Sequence, residues 1–271
     1  MEKGQDSFIE EFYDKYGVTE FTGYEKTEDE GKLLSLREAK DGKYLLIFDK
    51  TPFYAESGGQ VGDQGKIYSD SFEAKVLDVQ KQKDIFIHTV EFEKGIAEEN
   101  KTYKLEVDIV RRLDTAKNHT ATHLLHKALR EVVGTHVQQA GSLVDSEKLR
   151  FDFSHYEALT AEQLSKIEDI VNEKIREGIE VAVSHHSIEE AKNLGAMMLF
   201  GDKYGDVVRV VDVPGFSTEL CGGTHIDNIG KIGLFKIVSE GGIAAGVRRI
   251  EAKTGYGAYL VEKEEADILN N

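Results

Sequence analysis

Two widely separated pairs of residues have the side-chain types that bind zinc. The first pair lies in His119-Thr-Ala-Thr-His123 and the second in Cys221-Gly-Gly-Thr-His225. Residues four apart on a helix project from the same face, so His119 and His123 can offer two imidazoles to one metal ion. Thiolate and imidazole are the usual ligands of four-coordinate zinc. The two pairs together predict one Zn²⁺ ion held by His119, His123, Cys221 and His225.

The only cysteine of the chain stands beside two glycines. Gly222 and Gly223 follow Cys221 directly and let the backbone turn the thiolate and His225 toward one point. The alternative is a buried, inert thiol, although such a cysteine normally lies in an apolar strand or helix. One cysteine cannot form an internal disulfide, and a thiolate ligand survives best in a reducing compartment. We therefore expect a cytoplasmic location.

Length and composition are those of a folded protein with room for two domains. The chain has 271 residues, of which 40% are hydrophobic. Its apolar runs are too short to cross a bilayer and its start lacks an apolar signal segment, so we expect no membrane partner. The formal net charge of -16 argues against nonspecific nucleic-acid binding over the whole surface. Local basic patches at Arg111, Arg112, Arg248 and Arg249 are candidate phosphate contacts, with an ordinary solvated face as the alternative.

The pattern before residue 110 predicts a small antiparallel β-barrel-like domain over residues 18–110. Short apolar or alternating segments are separated by glycine and charged turns, as expected for strands. The predicted strands span residues 32–37, 43–49, 66–68, 73–79, 85–92 and 102–107. Residues 1–17 have helical spacing without a partner face in the sequence, so we expect the helical tail of a preceding domain.

Residues 111–255 predict a mixed α+β domain that contains the zinc site, so the fold class is α+β. A helix over residues 111–133, ending at Gly134, carries the histidine pair in its middle. Residues 256–271 predict the start of a C-terminal helix. The other predicted elements are strands at residues 149–153, 179–184, 207–213, 234–240 and 247–252 and helices at residues 161–177 and 187–194.

Several long motifs occur in an order that resembles the editing region of alanyl-tRNA synthetase. The resemblance covers residues 18–260 and includes the glycine-rich stretch from Thr51 to Gln60 and the closing strand Gly246-Val-Arg-Arg-Ile-Glu251. The remaining motifs are Asn118-His-Thr-Ala-Thr-His-Leu-Leu-His126, Val137-Gln-Gln-Ala-Gly-Ser142, Arg150-Phe-Asp-Phe-Ser-His155 and Cys221-Gly-Gly-Thr-His225.

The resemblance implies a barrel-like domain followed by a domain that hydrolyses mischarged tRNA for alanine, carrying serine and also glycine. All four of the family's zinc-ligand positions are filled. Thr122, Gln139 and Ser142 lie in motifs that line the family's editing pocket, where a hydrogen bond to the serine hydroxyl favours serine over alanine. The alternative is that these side chains bond to local backbone.

The role of the zinc stays open between water activation, substrate orientation and structure, because four protein ligands are typical of a structural site. Gly58, Gly59 and Gln60 are expected to form a loop that closes over the tRNA terminus. His126 is expected to be a hydrogen-bonding partner of the ligand set or a packed histidine, not a fifth ligand. The resemblance also makes the four candidate arginines a hypothetical contact for the tRNA acceptor stem.

Two rival functions follow from the same residues. A zinc peptidase needs a glutamate beside the first histidine as general base, and Thr120 stands there instead. A noncatalytic tRNA-binding module with a structural zinc is the stronger rival. Nothing in the chain resembles the family's amino-acid-activating core, so we expect no aminoacylation by this chain alone and favour an excised piece of a synthetase over a free-standing editing protein.

Overall fold

The computed structural model describes residues 2–199 and 203–270. Contacts between residues divide the chain into two compact units. The first unit holds residues 1–57 and 61–112, and the second holds residues 58–60 and 113–271. The sequence places the corresponding boundary at residue 110, and it does not predict that Gly58–Gln60 groups with the second unit.

The first unit contains a helix and eight strands. Six of the strands form a closed barrel in the order β2-β3-β7-β6-β5-β8, and every neighbouring pair is antiparallel. The predicted barrel is therefore confirmed. The elements are α1 (Glu2–Tyr16), β1 (Glu20–Phe21), β2 (Glu28–Glu38), β3 (Lys43–Phe48), β4 (Lys50–Thr51), β5 (Gly65–Tyr68), β6 (Glu73–Gln82), β7 (Ile85–Lys94) and β8 (Thr102–Val107).

Alternating apolar residues fill the barrel, because successive side chains of a strand point to opposite faces. Leu33, Leu46 and Leu105 are among the fully buried side chains of this core. Helix α1 also has a partner. Its residues Ile9 and Phe12 are buried in a cluster with isoleucines of β3 and β7, so the helix packs against strands of its own unit, which sequence periodicity did not reveal.

The second unit contains the other helices and two antiparallel sheets. The larger sheet has the strand order β14-β15-β10-β9 and the smaller has the order β11-β12-β13. Helix α2 begins at the end of the first unit and continues into the second. The elements are α2 (Ile109–Val132), β9 (Gln139–Val144), β10 (Leu149–Ser154), α3 (Ala161–Glu177), β11 (Ala182–Ser187), α4 (Ile188–Asn193), β12 (Val207–Val213), β13 (Ser217–Leu220), β14 (Phe235–Ala244), β15 (Val247–Thr254) and α5 (Gly255–Asn270).

Apolar residues of α2, α3 and the larger sheet form the core of the second unit. Leu125 and Leu129 of α2 meet Phe151 and Phe153 of β10 in one fully buried cluster. Helix α3 is amphipathic and has a capping box at Thr160 and a left-handed Gly178 at its end, as its sequence requires. The mixed α+β class is confirmed, and both ends of α3 agree with the prediction.

Two strands of the second unit were not predicted from the sequence. Strand β9 reads Gln-Ala-Gly-Ser-Leu-Val and β13 reads Ser-Thr-Glu-Leu. Both are short and lack β-branched or aromatic alternation, so their strand character comes from pairing with β10 and β12.

Among the described residues, none of the helices is both long enough and apolar enough to span a membrane.

Candidate metal centre

Helix α2 and the segment after β13 bring the four predicted ligands together. His119 and His123 lie one turn apart on α2, each about 5% exposed, with ring centroids 5.4 Å apart. Cys221 and His225 follow the end of β13. One ligand atom from each of the four residues can be chosen so that all lie within 4.8 Å of one another. The structure therefore contains a His₃Cys group that could hold a metal ion.

Each of the three imidazoles has a polar side chain at its Nδ1 atom. Nδ1 of His119 lies 2.7 Å from Oε1 of Gln60, and Nδ1 of His225 lies 3.0 Å from Oγ1 of Thr120. Nδ1 of His123 lies 3.2 Å from a carboxylate oxygen of Glu219. Because Nδ1 of each ring faces one of these groups, Nε2 is the nitrogen left to bind a metal ion. Metal-binding histidines are commonly oriented in this way by a group at the other ring nitrogen.

The thiol of Cys221 faces two of these Nε2 atoms. Its Sγ lies 3.4 Å from Nε2 of His119 and 3.3 Å from Nε2 of His225. Burial raises the pKa of the Cys221 thiol, but the nearby His119 and His225 imidazoles outweigh burial and hold it well below its ordinary value. A thiolate is the form that binds metal. The donor set of one thiolate and three imidazole nitrogens fits the soft-to-borderline chemistry of Zn²⁺.

Charges around the ligands also separate the histidine pKa values. Burial disfavours the charged form of His123, yet the Glu219 carboxylate and the Cys221 thiolate together raise its pKa to about 9. Burial lowers the pKa of His225 to about 3. Glu219 is itself buried, which raises its pKa, but the His123 charge and the His126 hydrogen bond bring the net shift below the ordinary value.

The loop between Cys221 and His225 is held close against helix α2. A Cβ atom added to Gly223 would lie 2.1 Å from Cε1 of His119, so only glycine fits there without displacing the ligand. The Arg209 guanidinium donates to the carbonyls of Cys221 and Gly223 at 2.9 and 2.8 Å. The sequence predicts the glycine turn but not the contribution of Arg209. This residue lies on β12 and reaches the loop only because β12 pairs with β13.

The glycine-rich loop reaches the metal centre through Gln60. This side chain is fully buried, and its amide nitrogen donates to Oγ1 of Thr224 at 2.8 Å. Its Oε1 accepts from the Thr224 backbone N–H at 2.9 Å in addition to contacting His119. Gly58 and Gly59 have positive φ values of 58° and 84°, which allow the tight turn before it. The sequence named these three residues as a loop but did not assign Gln60 to the ligand set.

A bulge in β9 places Gln139 and Ser142 on one face of the larger sheet. Gln139 pairs with Phe153 and Ser142 pairs with Phe151, with a register shift between these pairs. Directly opposite residues of an antiparallel pair share a face. That face carries the buried phenylalanines, and Phe151 packs against His126 of α2. Among the described residues, neither the Gln139 nor the Ser142 side chain has a hydrogen-bond partner, so both remain available to a ligand.

Ser142 is also adjacent to the glycine-rich loop. A Cβ atom added to Gly59 would lie 2.5 Å from the Ser142 carbonyl oxygen, and the Val144 N–H donates to the Gly59 carbonyl at 2.8 Å. Gly59 therefore packs on β9 while the next residue, Gln60, bonds to His119. Thr122 differs from the other two candidates. It is buried, and its hydroxyl donates to the Asn118 carbonyl one turn earlier at 2.8 Å, which is the local backbone bond considered as its alternative role.

His126 lies close to the ligand set without belonging to it. Its Nδ1 lies 2.7 Å from Oε1 of Glu219, the carboxylate that also meets His123. Glu219 was not predicted from the sequence. Its position two residues before Cys221, as an acid in an otherwise half-buried short strand, is the only signal that the sequence offers.

The four candidate arginines occupy different settings. Arg112 is 6% exposed, and its Nε donates to Asp63 at 3.0 Å while its other nitrogens donate to Asp63 and to the carbonyls of Gly23 and Pro52. Burial and these bonds remove Arg112 from any phosphate surface. Arg111 is half-buried and donates to the Gly62 carbonyl.

The arginines of β15 are both ion-paired. Arg248 bonds to Glu240 at 2.7 Å, and Arg249 bonds to both carboxylate oxygens of Asp152 at 2.8 and 3.0 Å. The hydrogen bonds that the guanidinium groups donate to these carboxylates raise the pKa of both arginines. Their side chains are 16% and 32% exposed, so part of each stays accessible.

Comparisons with known proteins agree with this geometry. Residues 208–251 match the family model described as Threonyl and Alanyl tRNA synthetase second additional domain. Residues 2–111 match the model described as tRNA synthetases class II (A). The first match spans β12 to β15, including Cys221 and His225, and the second spans the first unit.

Relatives of this chain include bacterial alanine–tRNA ligases. The chain is 93% identical to the protein of Fusobacterium nucleatum subsp. nucleatum over 271 residues, which is all of this chain and 31% of the relative. It is 53% identical to the protein of Listeria welshimeri serovar 6b over 262 residues and 51% identical to that of Bacillus cytotoxicus over 263 residues. Each of these alignments covers 93% of this chain and 30% of the relative.

A closed antiparallel barrel, followed by an α+β unit with a partly buried His₃Cys group, defines a region of a class II aminoacyl-tRNA synthetase that carries the second additional domain. The chain spans about a third of the length of the curated relatives it matches. It belongs to the alanyl-tRNA synthetase family and corresponds to the editing region of that family.

Proposed function

We propose that this chain is a zinc-containing aminoacyl-tRNA deacylase that hydrolyses the ester of tRNA(Ala) mischarged with serine or glycine. The observation that supports it most strongly is the connection between the candidate metal centre and the side chains of Gln139 and Ser142, which have no hydrogen-bond partner among the described residues. Gln60 bonds to His119, and the preceding Gly59 packs on Ser142 of β9. A ligand bound at β9 would therefore lie beside the metal centre.

Ester hydrolysis needs a positioned water molecule and stabilisation of the developing oxyanion, because the aminoacyl ester is already activated. Gln139 and Ser142 can orient the substrate by hydrogen bonds, since each can donate and accept. When bound, Zn²⁺ would supply a site for the polar end of the substrate or polarise its carbonyl. Thr122 remains a proposed pocket residue, and its side chain would have to exchange its bond to Asn118 for one to the substrate.

Selection of serine over alanine follows from the same side chains. A buried polar group left without a partner costs about 1–3 kcal/mol, so a pocket that bonds the serine hydroxyl penalises the alanine methyl group. The expected preference for serine over alanine is roughly 5- to 150-fold, because about 1.4 kcal/mol corresponds to a factor of ten. Loss of either hydrogen-bonding side chain should reduce this ratio.

The test is release of serine from seryl-tRNA(Ala) by the purified chain, with alanyl-tRNA(Ala) as the control substrate. Serine-selective release that is lost in Cys221→Ala and reduced in Gln139→Ala and Ser142→Ala would support the proposal. Gln138→Ala is a matched control because Gln138 is an exposed glutamine beside Gln139. Unselective release, or release unchanged in all three site variants, would overturn it.

The rival function is a noncatalytic tRNA-binding module with a structural zinc. The observation in its favour is the four-residue ligand set, which by itself completes tetrahedral coordination. It predicts that the purified chain binds tRNA and zinc but cleaves no ester at any enzyme concentration. The same deacylation experiment therefore separates the two functions.

Contact with the tRNA is proposed for Arg111, Arg248 and Arg249, and Arg112 is left out because it is buried. Each phosphate contact adds to the salt dependence of binding. Replacing Arg248 and Arg249 together by glutamine should weaken tRNA binding and flatten its salt dependence. Unchanged affinity and slope would exclude this surface. A cytoplasmic location and a role within a longer synthetase chain stay predictions.

A further inference from the structure

One buried carboxylate joins a metal ligand to a histidine outside the ligand set. Glu219 of β13 is 8% exposed. Its Oε2 lies 3.2 Å from Nδ1 of His123, and its Oε1 lies 2.7 Å from Nδ1 of His126. The two carboxylate oxygens therefore face one Nδ1 atom each. Three buried groups from α2 and β13 form a continuous chain that ends at the His₃Cys group.

We propose that Glu219 is a positioning residue that orients His123 and balances the charge of the metal centre, and that His126 in turn orients Glu219. The inference rests on the proposed zinc. A divalent ion with one thiolate and three neutral imidazoles leaves one positive charge in a buried site. The Glu219 carboxylate cancels it, and burial of an unbalanced charge is costly.

The neighbouring residues make this balance more important. The positive side chain of Arg209, a residue of β12, is half-buried and bonds to the loop that carries Cys221. It is held there by two carbonyl groups and adds positive charge near the site. Gln60 and Thr120, which face the other two histidines, are neutral. Glu219 is thus the only one of the three residues described at ligand Nδ1 atoms that brings a negative charge.

His126 is placed to serve Glu219 and not the metal. Its Nδ1 is engaged by the carboxylate, and its Nε2 is buried without a hydrogen-bond partner in the described structure. The ring lies against Phe151, with centroids 5.1 Å apart. A buried histidine that leaves one nitrogen unpaired loses a hydrogen bond, and the observed geometry offsets that loss with a short bond to a charged acceptor.

The experiment measures zinc affinity without RNA, by competition with a chromophoric chelator at fixed pH. Glu219→Gln keeps the shape and removes the charge, Glu219→Asp keeps the charge, and Glu251→Gln is the control because Glu251 lies away from the ligands and pairs with Lys148. We expect Glu219→Gln to bind zinc roughly 10- to 100-fold more weakly. We expect Glu219→Asp to bind more tightly than Glu219→Gln, and Glu251→Gln to match the parent.

Cobalt substitution supplies a second measurement that a purely structural role would not change. In the Co²⁺-loaded protein, Glu219→Gln and His126→Gln should alter the visible absorption bands, because His123 loses its fixed orientation. Circular dichroism checks that each variant is folded. If Glu219→Gln fails to fold, His126→Gln still tests the inference, because it keeps the Glu219 carboxylate and removes only the histidine that orients it. Parent-like zinc affinity and cobalt spectra in the folded variants would overturn the inference.

The outcome is separable from that of the proposed function. A chain whose zinc affinity depends on Glu219 but which releases no serine would refute ester hydrolysis and support this inference. If the chain releases serine and Glu219→Gln binds zinc as tightly as the parent, ester hydrolysis is supported and the role of Glu219 is refuted.

Discussion

Oε1 of Gln60 lies 2.7 Å from Nδ1 of His119, across a sequence separation of 59 residues. The bond connects a glycine-rich loop to a candidate metal ligand, and two further bonds connect the same carboxamide to Thr224 beside His225. Gln60 therefore contacts one candidate ligand directly and the loop that carries Cys221 and His225. This arrangement explains why a glutamine, which has both an acceptor and a donor, suits the position.

Replacing Gln60 by alanine should weaken zinc binding by roughly 10- to 100-fold, because His119 loses the group that fixes its ring and tautomer. Chelator competition measures the loss. Gln138→Ala, at an exposed glutamine, is the matched control and should keep parental affinity. Equal affinities in the two variants would show that Gln60 does not orient the ligand.

Replacing Gly223 by alanine should lower the zinc content of the purified protein although no ligand is changed. The new Cβ atom would lie 2.1 Å from Cε1 of His119, so either the ring or the loop must move. Gly241→Ala is the control, because a Cβ atom there meets nothing within 4 Å. Metal analysis after purification tests the prediction, and full zinc content in Gly223→Ala would contradict it.

Replacing Asp63 by asparagine should destabilise the first unit by about 3–5 kcal/mol, because Arg112 would remain as a buried charge without its partner. Chemical unfolding followed by circular dichroism measures the change. Glu98→Gln breaks an exposed ion pair with Lys101 and should cost much less, because solvent screens the exposed charges. Similar losses in the free energy of unfolding for the two variants would show that the buried ion pair stabilises the protein no more than the exposed one.

The buried His88 should make the stability of the first unit depend on pH. Burial lowers its pKa from 6.5 to about 4, and its ring nitrogens bond to Thr51 and to the Leu46 carbonyl. Between these two pKa values the unfolded chain binds more protons than the folded one, so stability falls as pH decreases from 6.5 to about 4. The loss attributable to this residue is about 3 kcal/mol.

Urea unfolding at several pH values tests this dependence. The parent should lose more free energy of unfolding than His88→Gln across that pH window. His185→Gln, which removes an exposed imidazole, controls for the loss of one histidine. Parallel pH profiles for the parent and His88→Gln would exclude His88 as the source.

Much of the fold followed from local patterns. The helix that carries His119 and His123 and the barrel strands were predicted because apolar periodicity and glycine turns are local signals. Strands β9 and β13 were not predicted, since their short, partly polar sequences become strands only by pairing with β10 and β12. The bulge that places Gln139 and Ser142 on one face is also a property of that pairing.

The sequence by itself determined which four residues are the candidate metal ligands, because the required side-chain types occur at helical and glycine-turn spacings in two short motifs. Only the tertiary structure decided what surrounds them. Gln60 and Glu219 reach the histidines from distant segments, and Arg112 is withdrawn into an ion pair with Asp63. Hydrogen bonds and burial depend on which chain segments meet in space, so no spacing in the sequence specifies them.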